Sequence, residues 1–380
     1  MVLMLNLWNQ NVVDAWVKVF QAFVQVVDQK EYEESINKLI LSLTDVSASE
    51  ISRYGGAKMI GIMSDIRKEG VQGILFEQGR LLCADKDYDV RKVMAGEVLE
   101  KLSKNLDPFS IQIYLMPKIF QLVYDKEPQV KCAGVKLLFS IIEYLAIEEQ
   151  KNRLPKIFLE MMELGQEEVF LTLTEIQGNV FMHLAQYYIK NQQQMKIITE
   201  FLIKQTKHEN VQVRKNFAYA FPGILQLLEG NIFNNIYKYY KKMILEDEEP
   251  SVRQCLFGSI HEIAKIIGKN ETKEKLYDIL KKILKSKDKD IIQAVSQNIQ
   301  KVIENFYLND EYEIDDIILN KYESKDGLNI QQQKQKNINQ QKQEGLDQDD
   351  SKSLNNNSRI LSNSQKLEDQ KTEKTCFGFE

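Results

Sequence analysis

Apolar residues recur at helical spacing along most of this chain. In 195–205 they occupy 195, 197, 198, 201, 202 and 203, a stripe on one face of a helix. A polar turn follows at 207–210. Val211, Val213, Phe217, Ala218, Ala220, Phe221, Ile224 and Leu225 then resume the spacing. The same double stripe occurs at 111–123 and 130–142, at 234–245 and 252–267, and at 273–284 and 291–303. Strand-like alternation occurs only briefly, near 169–174. The pattern predicts an all-α chain built from helix pairs.

The pairs repeat. Asp89-Val-Arg91 recurs as Gln129-Val-Lys131, Gln212-Val-Arg214 and Ser251-Val-Arg253, and in worn form as Asp290-Ile-Ile292. The basic positions lie 40, 83 and 39 residues apart, and Ile292 lies a further 39 on. The interval of 83 is a double period, so one repeat has lost its signature and should begin near Leu171. Ile51-Ser-Arg53, 38 residues before Arg91, fits weakly. The spacing gives about seven units of about 40 residues. A pair of this size cannot bury its apolar face alone, so the units must stack on one another.

Turn chemistry agrees. Pro128 and Pro250 stand two residues before the repeated Val130 and Val252, in the first turn of a second helix. There a missing N–H is not needed and the fixed φ suits the helix. The acidic residues Asp85, Asp87, Asp125, Glu127, Asp247, Glu248, Glu249 and Asp288 precede second helices, near their positive ends. Caps and solvated turns account for them structurally; on the functional side they are candidate partner-binding groups. Pro222, ten or so residues into its helix, predicts a local change of curvature.

The period, with Val-Arg opening the second helix, resembles the HEAT repeat. In that family the Arg and an acidic turn residue form a ladder between neighbouring units. Arg91, Lys131, Arg214 and Arg253 match the basic position; Asp85, Asp125 and Asp247 match the acidic one six residues earlier, and His208 and Ile292 depart from it. Val90, Arg91, Val130, Lys131, Val213, Arg214, Pro222, Pro250, Val252 and Arg253 are the structural repeat anchors on this view. The predicted fold is an all-α HEAT-repeat α-solenoid.

A sharper resemblance lies in Ala218-Tyr-Ala-Phe-Pro-Gly223 followed one repeat later by Val252-Arg-Gln-Cys-Leu-Phe-Gly-Ser-Ile-His-Glu-Ile-Ala264. This pairing resembles the HEAT-repeat regulatory and scaffold subunits of protein phosphatase 2A-like enzymes, closest to the regulatory subunit 1 of protein phosphatase 4, over 45–306. The resemblance implies a non-catalytic subunit. Its partners would be a serine/threonine phosphatase catalytic subunit and substrate or further regulatory proteins. The turns 85–88, 125–128, 207–210, 247–250 and 286–289 would grip them, so the Asp247–Glu249 turn and Pro250 should matter more for partner binding than for folding. An alternative is a transport or chromosome-associated adaptor for basic proteins or nucleic acid.

Composition adds boundaries. From 307 onward there are 10 basic and 15 acidic residues, so the remaining chain is balanced at 40 of each and the net charge of −5 belongs to the end. The segments expected are 1–44 as N-terminal helices or a degenerate cap, 45–306 as the array, 307–322 as a capping helix or linker, and 323–380 as a disordered Gln/Asn/Lys/Asp-rich tail. A balanced body argues against general nucleic-acid binding. Yet Tyr237-Lys-Tyr-Tyr-Lys-Lys242 and Lys281-Lys-Ile-Leu-Lys-Ser-Lys287 interleave aromatic and basic groups on successive first helices. The simplest account packs Tyr237 and Tyr240 between helices and leaves Lys238, Lys241 and Lys242 solvated.

Chemistry is sparse. Cys83, Cys132, Cys255 and Cys376 show no metal or redox spacing, and the first three read as buried apolar residues. His183, His208 and His261 fall on different units, and His261 reads as a helix-surface residue. No phosphate-cradling glycine loop or nucleophile elbow occurs. No enzyme activity, cofactor, metal or membrane partner is expected. The expected location is the cytoplasm, the nucleus or both.

Overall fold

The computed structural model describes residues 9–28, 35–67, 73–230, 232–285 and 298–306, all inside one compact unit, Met1–Phe306. The expected segments 307–322 and 323–380, the turn at 286–289 with Asp288, and Cys376 lie outside the described residues.

Every described element is helical. After α1 (Gln10–Val24) come the pairs α2 (Asn37–Thr44) with α3 (Glu50–Arg67), and α4 (Ile74–Leu82) with α5 (88–103). Next are α6 (108–123) with α7 (Pro128–Ser140), then a short α8 (Ile147–Asn152) leading into α9 (Leu154–Glu163) with α10 (Glu167–Tyr188). The last are α11 (Gln192–Thr206) with α12 (Val211–Leu227), α13 (Phe233–Glu246) with α14 (Pro250–Glu271), and α15 (Tyr277–Lys285), followed by α16 (Ile299–Asn305). The second helices α3, α5, α7, α10, α12 and α14 pack each on the next and form one layer. In the other layer, α9, α11, α13 and α15 do the same.

This is the all-α solenoid predicted, with three local differences. The stretch 169–174 is helical, inside α10, because its apolar residues Val169, Phe170 and Leu173 serve a helical stripe rather than a sheet face. His261 is buried, 6% exposed, and not on the surface. The first pair starts at Asn37, ahead of residue 45, since α2 packs directly on α3.

Between layers the core is aromatic. Phe158 of α9 meets Phe139 at 5.4 Å, Phe181 at 5.7 Å and Phe201 at 6.5 Å, so one ring joins four helices. Phe217, Phe221, Phe233 and Tyr240 continue the row between α12 and α13. Each buried ring contributes about 1.5–3 kcal/mol. Close approach needs Gly134: a Cβ there would lie 2.7 Å from the Leu122 and Val123 backbone of α6. Gly268 (φ 80, ψ 173) breaks the helical path of α14 and starts the next first helix, a conformation that favours glycine.

One polar pair sits in this core. Gln177 and Gln205, both fully buried, donate to each other's amide oxygens at 3.0 and 2.9 Å, joining α10 to α11. Removing one partner strands the other amide without water. Gln177→Leu should therefore cost about 1–3 kcal/mol, whereas the Q177L/Q205L double variant should return close to the parent. Denaturant midpoints of the three proteins check this.

Candidate partner-facing turns and an interrupted arginine ladder

Each second helix from α5 to α14 opens on the same positional plan. The N-cap residues are Asp87, Glu127, Gln166, Asn210 and Glu249. Three residues on stand Val90, Val130, Val169, Val213 and Val252, all fully buried. Four residues on stand Arg91, Lys131, Phe170, Arg214 and Arg253, and two before the cap stand Asp85, Asp125, Leu164, His208 and Asp247. The repeat without a signature thus carries Phe170 in the basic slot, one residue ahead of the expected Leu171.

Capping divides by side-chain length. The Asp87 carboxylate accepts from the Asp89 and Val90 N–H groups, and Asn210 accepts from Gln212 N–H at 2.8 Å. Glu127 and Glu249 make no side-chain cap. They place negative charge at a helix start whose first residue is Pro128 or Pro250.

The arginines join consecutive turns. Arg91 Nε and Nη2 donate to the Asp125 carboxylate of the next repeat at 2.7 and 2.9 Å. Its Nη1 donates to the Asp85 carbonyl of its own turn at 2.8 Å. Arg214 repeats this with Asp247 (2.8 and 3.1 Å) and the His208 carbonyl (2.8 Å). Arg53, a weak match in sequence, forms the first rung with Asp85 at 2.7 and 2.9 Å. Arg253 Nη1 donates to the Asp247 carbonyl. Each ladder carboxylate also accepts the N–H two residues on, from Asp87, Glu127 or Glu249. The planar fork suits this double duty.

The acidic turn residues therefore divide. Asp85, Asp125 and Asp247 are 7%, 7% and 5% exposed and face a guanidinium, so their carboxylates are not presented to solvent. For Arg91, Arg214 and Arg253 the residue six positions earlier supplies a carbonyl, while the Asp85, Asp125 and Asp247 carboxylates serve the preceding Arg53, Arg91 and Arg214. Glu248 is exposed; Glu127 and Glu249 are partly so. Burial opposes ionisation of Asp125, but hydrogen bonds from Arg91 and Glu127 N–H outweigh it and hold the carboxyl below its usual value. The hydrogen bond to Asp125 in turn raises Arg91, and the bond to Asp85 raises Arg53.

Mid-array the ladder changes chemistry. Lys131 finds no carboxylate at Leu164 and donates to Gln166 Oε1 at 3.2 Å. Phe170 stacks on His208 (5.3 Å, 16° between planes), with Lys204 Nζ 4.2 Å from the Phe170 ring centre. His208 Nδ1 accepts the Asn210 N–H at 3.1 Å, the task Asp performs elsewhere, but it offers its neighbour a ring face instead of an anion.

The remaining candidates fall as follows. Pro222 is buried inside α12, which runs through it. Tyr240 is fully buried, Tyr237 donates to the Lys275 carbonyl at 2.8 Å, and Lys238 and Lys242 are exposed. Cys83 is fully buried and its thiol is pushed up to about 12 by that burial; Cys132 and Cys255 are half-buried. Burial lowers His261. Among the described residues no group of three or more His, Cys, Asp or Glu is placed to hold a metal ion, and no helix is long and apolar enough to cross a membrane.

Two outcomes follow for the ladder. Asp125 titrates lower folded than unfolded, so its stabilisation is complete above its unfolded value of about 4 and is lost as pH falls through the folded value. Asp125→Asn should lower the thermal midpoint at neutral pH and flatten its decline below pH 4. Rebuilding the missing rung as F170R/H208D should show a coupling of about 1 kcal/mol or more relative to the two single variants, measured by a double-mutant cycle.

Comparison with known proteins fits this architecture. Serine/threonine-protein phosphatase 4 regulatory subunit 4 from Mus musculus and from Homo sapiens are each 20% identical over 330 residues, covering 80% of this chain. The chain spans 37% of the length of these curated relatives. The resemblance to phosphatase regulatory subunits stands, but the member matched is subunit 4, which corrects the resemblance to subunit 1. Among solved structures, the karyopherin Kap121p bound to the SUMO protease Ulp1p superposes with a TM-score of 0.57 at 14% identity, covering 83% of this chain and 34% of that one. Kap95p, described with RanGDP, gives 0.52 at 12% identity, covering 85% and 43%. These two likenesses show the fold alone. Residues 86–314, more than half the chain, match the family described as PIK3R4-like, middle domain, and the protein belongs to that family.

Proposed function

We propose that this protein is a non-catalytic regulatory or scaffold subunit that binds a serine/threonine phosphatase catalytic subunit, of the phosphatase 4 or 2A-like group, and presents substrates to it. The observation that carries this is the similarity to phosphatase 4 regulatory subunit 4 across 80% of the chain. The architecture suits the role. Neighbour-only stacking gives a long, elastic surface on which two partners can be held at once. The ladder holds the turns of that surface in register, while Asp87, Glu127, Glu209, Glu248 and Glu249 stay at least partly exposed, within a partner's reach. We propose the cytoplasm, the nucleus or both as its place of action.

The test is direct binding between the purified chain and purified phosphatase 4 catalytic subunit. A stoichiometric complex that persists through gel filtration at high salt, with no phosphatase activity from the chain alone, is the expected result. Absence of a complex at micromolar concentrations, or intrinsic phosphatase activity, would sink the assignment.

A further inference from the structure

Three first helices, α11, α13 and α15, share a groove of about 740 Å³ that contains no part of the ladder except Asp247 at its edge. It gathers five ammonium groups: Lys207 at the end of α11, Lys238, Lys241 and Lys242 on α13, and Lys282 on α15. Tyr239 lies among them with Lys207 Nζ 4.1 Å from its ring centre, and Met243 supplies an apolar floor.

The charge here is uncompensated. Among the described residues, none of the five lysines forms an ion pair with a carboxylate. Some lysines elsewhere do: Lys58 meets Asp14 at 2.8 Å, Lys101 meets Asp65 at 2.9 Å, Lys136 meets Glu175 at 2.6 Å and Lys275 meets Glu271 at 2.7 Å. Of the two carboxylates at the groove, Asp247 already serves Arg214, which leaves Glu246 alone against five cations. Lys238, Lys241 and Lys242 stand at i, i+3 and i+4, where like charges repel along a helix face. Apart from Lys241 Nζ, 5.8 Å from the Tyr237 ring centre, the trio makes no ion pair or ring contact among the described residues, so its donors are open to a ligand.

The ligand must be a compact anion. The adjoining groove, past Lys207, carries three carboxylates, Glu167, Glu200 and Glu209, against Lys204 and His208. A continuous phosphodiester backbone leaving the lysines in that direction would meet carboxylates, and the balanced body supplies no long-range field to hold it. A flat lipid surface cannot follow a groove. A phosphate monoester on a peptide fits: it carries nearly two charges on three acceptor oxygens, and each ammonium offers three donors. We propose that this groove is a docking site for a phosphoserine- or phosphothreonine-bearing peptide segment of a partner protein. The inference stands on the groove's own chemistry and does not depend on the phosphatase assignment.

Fluorescence anisotropy of the full chain tests it, using a degenerate phosphoserine peptide pool, the same pool unphosphorylated, a single-stranded oligonucleotide and anionic lipid vesicles. The phosphorylated pool should bind at least roughly tenfold tighter than the unphosphorylated pool. K238E/K241E/K242E should remove that preference, as should K207Q/K282Q, which changes different helices and guards against a local folding defect. Both variants should keep the parent's helical circular dichroism. Equal binding of the two pools, tighter binding of the oligonucleotide or vesicles, or full phosphopeptide binding by either variant would overturn the proposal.

Discussion

No helix pair in this protein can complete a hydrophobic core by itself, and that constraint governs everything else. Each pair presents apolar faces to the units before and after it, so burial is shared along the row rather than gathered at a centre. Phe158 shows the consequence: a single ring on α9 touches rings from α7, α10 and α11. Shared burial fixes that the units stack, but apolar contact is tolerant of small slides. Register needs directional contacts, and the guanidinium fork supplies them. Arg91 ties a carbonyl in its own turn and a carboxylate in the next, so two turns cannot shift without breaking charge-assisted hydrogen bonds in a nearly dry setting.

The array is not uniform along its length. Rungs at Arg53–Asp85, Arg91–Asp125 and Arg214–Asp247 flank a middle where Lys131 reaches only an amide and Phe170 lies on His208. Stacked rings hold a separation but constrain in-plane sliding less than a bidentate ion pair does. In the same middle region, the buried Gln177–Gln205 pair supplies directional bonds within the core between α10 and α11. The protein thus fixes register through bidentate rungs at the two ends and, at the centre, through the buried pair together with lighter turn contacts such as His208 Nε2 with the Glu167 carboxylate at 3.1 Å.

The candidate surfaces were legible in unequal measure. The acidic turn residues were visible as a set, yet Asp85, Asp125 and Asp247 belong to the ladder while Glu248 faces water. Composition cannot separate them, because both kinds sit one or two residues apart in one turn. The Tyr/Lys segment was visible as an interleaved run. Its meaning changed once Lys207 and Lys282, 75 residues apart in sequence, were found in the same groove. Arg53 was nearly missed, since Ser52 replaces the valine that marks the other repeats. His261 was misjudged because it adjoins Glu262 in sequence, yet the helix turns Glu262 outward and His261 inward.

By itself, the sequence determined the helical class, the period of about 40 residues and the positions of the second helices. Those follow from local rules: the 3.6-residue stripe, proline at a helix start and a valine on the buried face of the first turn. Tertiary structure decided which repeat each charge serves. Six residues separate Asp85 from Arg91 in sequence, but the Asp85 carboxylate turns to Arg53 and Arg91 turns to Asp125. The reason is geometric: within one turn the fork can reach a backbone carbonyl, while its other two donors project across the inter-repeat gap, where only the neighbour's carboxylate can meet them.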